Sequence, residues 1–147
     1  MQDISDIFEN RNKMMYKLSK ERYEQNMEEF EAENGQLIRD LLSEVGNSED
    51  REATLQEIST SCVEQIFAKF SKLGRIKKTI QMELELFMIY YLFPAILRTN
   101  DENAAVLCDS IRDGWNKRFK KNIDYTDYDT LLTGFVTKIF GMPVDRG

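Results

Sequence analysis

The stretch Glu83–Asn100, ELELFMIYYLFPAILRTN, decides how this chain folds. From Leu86 to Leu97 every residue is apolar or aromatic, in a sequence that is 31% charged. A helix built from it has no polar face to offer water and must be surrounded by other elements. A bilayer crossing takes about 20 consecutive apolar residues. This run is shorter, Glu83 and Glu85 bound it, and Pro94 lacks the N–H that a continuous helix needs. The reading is a core helix over 75–98, kinked at Pro94.

The flanking segments supply the walls. Upstream, Leu55, Ile58, Cys62, Ile66, Phe70 and Leu73 step by three or four, and Val63 and Phe67 widen the face. Ser48 or Asp50 can cap this helix, and Gly74 is placed to end it. Downstream, Thr99-Asn-Asp-Glu102 has the spacing of a capping box, followed by Ala104, Leu107, Cys108, Ile111, Trp115 and Phe119 on one face. A last helix is expected from near Thr126, carrying Leu131, Leu132, Phe135, Val136, Ile139 and Phe140 and stopping at Gly141-Met142-Pro143.

At the other end, Asp3 to Val45 reads as one long helix and then a short one, broken at Asn34-Gly35. Tyr16, Tyr23, Phe30 and Leu37 recur every seventh residue, with Met27 and Leu41 beside them. That is a thin apolar stripe on a charged helix, without the second apolar position per heptad of a coiled coil.

These pieces predict an all-α, single-domain bundle of roughly five or six helices around a Pro-kinked apolar central helix. Residues 1–45 form a charged N-terminal helical arm and 50–141 the bundle core. The 147 residues suit one hydrophobic core.

Charge is unevenly spread. The net charge is −6, but residues 1–50 hold 13 acids against 6 bases, whereas 51–147 hold 13 acids against 14 bases. Two basic clusters stand out in the second part. Arg75, Lys77 and Lys78 open a helix, where cations are mildly unfavourable; Lys117, Arg118, Lys120 and Lys121 close one, where they are favoured.

The chain has no histidine and two cysteines. Ser-His-Asp and Cys-His catalysis and a mononuclear structural zinc site within the chain are therefore ruled out, and no cofactor is expected. Asp124–Asp129 is acid-rich but lacks the glycine and the glutamate of an EF-hand loop. Cys62 and Cys108, far apart in a chain whose opening residues do not read as a signal peptide, point to a reducing cytoplasm.

The rhythm Phe93-Pro94-Ala95-Ile96-Leu97, Trp115, Phe119, Tyr128, Gly134-Phe135 and Lys138-Ile139-Phe140-Gly141 resembles that of small helical proteins of anaerobic Gram-positive bacteria. The resemblance covers the C-terminal half, implies an all-helical bacterial protein, and brings no activity or site residues with it.

The functional expectation is a non-enzymatic cytoplasmic protein-interaction or regulatory module. It would use Tyr16, Tyr23, Met27 and Phe30 as a partner-binding stripe, for a protein partner or a second copy. The alternatives are a nucleic-acid-associated regulator binding anions through 75–78 and 117–121, and a small-ligand binder near Pro94 using Tyr90, Tyr91 and Glu83 or Glu85. No membrane partner is expected.

Overall fold

The computed structural model describes residues 4–9 and 20–120. A short 3-10 turn, Asp6–Phe8, precedes five α-helices: α1 (Lys20–Gly46), α2 (Arg51–Phe70), α3 (Lys78–Phe87), α4 (Phe93–Leu97) and α5 (Ala104–Phe119). A π-helical turn, Met88–Leu92, joins α3 to α4 without a break. The fold is an all-α bundle, with no strand among the described residues. The helix expected from Thr126, together with Tyr16 and Lys121, lies outside the described residues.

The central helix, Lys78–Leu97, answers the question its sequence poses. By length and composition it could cross a membrane, yet 72% of its most apolar 18-residue window is buried inside the bundle. Phe87, Tyr91 and Phe93 are almost wholly enclosed, and Phe8 and Phe30 approach Phe87 with ring centroids 5.0 and 5.5 Å away.

Pro94 is accommodated by a wider turn as well as by its place at the start of α4. Phe93 N–H donates to the Met88 carbonyl, an i to i−5 bond, in the turn just before the proline. Pro94 itself sits in the first turn of α4, where its fixed φ is suited and its missing N–H costs least.

Three local expectations are corrected. Helix α1 runs straight through Asn34-Gly35 and ends at Gly46. Asn34 is buried and its side-chain amide donates to the Phe30 carbonyl at 3.1 Å, so its polar group is used within the helix. Burial of Phe30, Ile38, Leu42 and Val45 outweighs the roughly 1 kcal/mol that a mid-helix glycine costs.

The capping box at Thr99–Glu102 does not form. Thr99 hydroxyl instead donates to the Ile96 carbonyl at 2.7 Å, closing α4, and Asp101 Oδ1 accepts from Asn103 N–H at 2.8 Å before α5 begins. Helix α2 stops at Phe70, three residues before Leu73, so Leu73 falls off the apolar face. The Asp50 cap of α2 does form, accepting from Ala53 N–H at 3.2 Å.

Helices α2 and α5 run parallel. Arg51 bonds Asn103 near their N-termini, Ser59 faces Gly114 midway, and Phe67 meets Phe119 near their C-termini. Parallel neighbours need a long return connection, and the central helix is that connection. The arrangement brings the C-terminal ends of α2 and α5, and the N-terminal end of α3, to one pole of the bundle.

Candidate functional site

Of the partner-binding stripe, Met27 and Phe30 are buried and Tyr23 is half-buried. Tyr23 hydroxyl donates to the Tyr90 carbonyl at 2.7 Å, and Asn26 amide donates to the Tyr91 hydroxyl at 3.3 Å. The first of these bonds goes to the carbonyl that Pro94 cannot serve from the i+4 position. The stripe's contact is thus the chain's own central helix. It looked thin in sequence because the face widens only later, through Ile38, Leu42 and Val45.

The groups imagined around a ligand at Pro94 are engaged in the same way. Glu83 and Glu85 are both buried, and Trp115 Nε1–H donates to Glu85 Oε2 at 2.8 Å. Trp115 is fully enclosed, its ring 4.3 Å from that of Phe119. Burial pushes the Tyr91 hydroxyl above its usual pKa, an effect that the Asn26 hydrogen bond partly offsets. These contacts form a polar lining that ties α1, the central helix and α5 together.

A cavity of about 620 Å³ opens elsewhere, between α2 and α5. Its floor includes Leu55, Ser59, Val63 and Gly114, and its rim includes Glu52, Asp113 and Lys117. A Cβ at Gly114 would lie 3.4 Å from Ser59 Oγ, so the small pair allows the helices to approach here. Both acids and bases line it, with no convergent set of polar groups that would fix one ligand.

The basic residues behave differently. Because α2 and α5 are parallel, Lys117, Arg118 and Lys120 fall at the pole where α2 ends and where Lys72, Arg75, Lys77 and Lys78 follow. Arg118 is spent locally: its Nε lies 3.1 Å from Glu64 Oε1 and its guanidinium 4.1 Å from the Phe67 ring centroid. Lys69 is also neutralised, bonded to Asp6 and, at 2.8 Å, to Glu9, and these carboxylates raise its pKa. Lys72, Arg75, Lys77, Lys78, Lys117 and Lys120 are exposed, and among the described residues none of their side chains is ion-paired.

Most residues of this pole are legible in the sequence, but whether the two clusters share one end stays open there, because that depends on the direction of α5. Apolar periodicity placed Leu73 on the core face of α2. Leu73 is instead 99% exposed, next in sequence to exposed cations. Gly74 alone hinted at a turn here, because leucine is not a residue that a tight turn with positive φ favours.

Comparison with protein-family models, with curated proteins and with solved structures finds no match to this chain.

Proposed function

We propose that this chain is a non-enzymatic helical interaction module whose working surface is the basic pole, and that it binds a phosphate-rich polyanion there. The convergence of two sequence-distant basic clusters on one exposed end carries this reading. Unpaired surface cations that release counterions on contact give a sequence-independent, salt-dependent affinity. Placing Lys77 and Lys78 at the start of α3, against its dipole, brings the helix no stability, which favours an outside partner. The buried thiols Cys62 and Cys108 fit work in a reducing compartment such as the cytoplasm.

The test is equilibrium binding to duplex and single-stranded nucleic acid and to anionic vesicles, from about 50 to 200 mM salt. Binding should weaken steeply with salt. The double variants Lys77→Glu/Lys78→Glu and Lys117→Glu/Lys120→Glu should each reduce it. Absence of binding to every polyanion at low salt would remove the reading, and sensitivity to only one pair would remove the idea of a joint surface.

A further inference from the structure

The turn after α2 contains the most exposed large apolar side chain among the described residues. Lys72 and Arg75 pair across it, with Lys72 N–H donating to Arg75 O at 2.8 Å and Arg75 N–H to Lys72 O at 3.3 Å. The two residues between them, Leu73 and Gly74, have φ of 56° and 77°. Positive φ at both central positions is the backbone of a type I′ turn, which favours Asn, Asp or Gly. Gly74 meets that demand. Leu73 does not, and its Cβ crowds the backbone in this conformation.

Leucine at this position is therefore unfavourable twice, through its backbone and through its full exposure to water. Nothing within the described chain offsets either. Lys72, Arg75, Lys77 and Lys78 surround it in sequence, all exposed. A partner that rewards both features has an anionic surface above an apolar interior. We propose that this turn is a membrane-contacting finger, with Leu73 entering the acyl boundary of an anionic bilayer while the four cations lie among the headgroup phosphates.

This rests on the polyanion reading and narrows it to one partner. Nucleic acid would reward the cations but could take up Leu73 only as a wedge between base steps, at an unstacking cost that offsets what burying the leucine gains. A protein partner would need a pocket with an acidic rim to receive a single projecting side chain, whereas a bilayer is soft and needs none. Contact of this kind touches the membrane without spanning it, so it revises the expectation of no membrane partner while leaving the central helix in the core.

Each cation near an anionic leaflet strengthens partitioning about fivefold, and burial of the leucine adds about tenfold. The association is then weak, reversible and sensitive to salt.

Flotation of the full chain with vesicles of phosphatidylcholine alone, or with about a third phosphatidylserine, tests this. Labelled duplex titrated in parallel provides the second arm. The expected result is recovery with anionic vesicles only. Leu73→Asn should lower vesicle partitioning about tenfold and leave duplex binding unchanged, because asparagine tolerates positive φ and keeps the fold. Lys77→Glu/Lys78→Glu should weaken both.

Unchanged vesicle partitioning in Leu73→Asn overturns the finger and leaves the polyanion reading in place. Duplex binding without vesicle binding does the same and makes the pole a nucleic-acid surface. Loss of both arms in the unsubstituted chain overturns both proposals.

Discussion

The central helix and the turn that leads into it treat their side chains in opposite ways. Inside, Tyr23, Asn26 and Trp115 reach from α1 and α5 to the polar groups of a helix that is otherwise apolar, and Leu84, Leu86, Phe87 and Leu92 are nearly removed from water. A few residues earlier, Leu73 stands 99% exposed on a backbone that leucine disfavours, among cations that are not ion-paired among the described residues. The interior spends its polar groups on itself. The turn keeps apolar surface and charge available for something else.

The sharpest way to break the first half of that contrast is at Trp115. Trp115→Ala should cost about 3–5 kcal/mol in urea unfolding, because it opens a cavity and removes the donor to Glu85. Trp115→Phe keeps most of the volume and should cost about 1–3 kcal/mol for a buried acceptor left without that bond. A loss below about 0.5 kcal/mol for the alanine variant would mean that the ring is not enclosed.

Tyr23→Phe should cost less, about 0.5–1.5 kcal/mol, since it removes only the hydroxyl that donates to the Tyr90 carbonyl. Pro94→Ala restores a backbone donor one turn later, so a double-mutant cycle between the two positions should show coupling. Strict additivity would detach the tyrosine from the proline.

The smallest effect has the opposite sign. Leu73→Asn should stabilise the chain by about 0.5–1 kcal/mol, because the turn then carries a residue suited to its φ. A destabilised variant would show that Leu73 makes a contact in solution.

Much of the bundle was legible in the sequence because apolar periodicity is a local signal. The phase of Leu107, Cys108, Ile111 and Trp115 placed α5's buried face, and the uninterrupted run from Leu86 marked the helix that everything else surrounds. Legibility failed where the outcome depended on partners distant in the chain. Asn34-Gly35 has the look of a helix break, but the packing of Ile38 and Leu42 carried the helix through it. Pro94 signals a kink, yet the π turn that precedes it is not written in any single residue. Leu73 fits the helical phase of α2 and lies beyond its end. The basic clusters were visible, but their meeting required knowing that α2 and α5 point the same way.

That shared direction makes the pole a composite that exists only in the folded chain. In the unfolded ensemble the cations of 72–78 and those of 117–120 are separated by a long flexible loop, whose closure is entropically costly. A polyanion that needs both clusters binds the native state in preference to the unfolded one. By mass action it raises the melting temperature as its concentration rises, and the fold's own stability becomes a gauge of whether the pole is occupied.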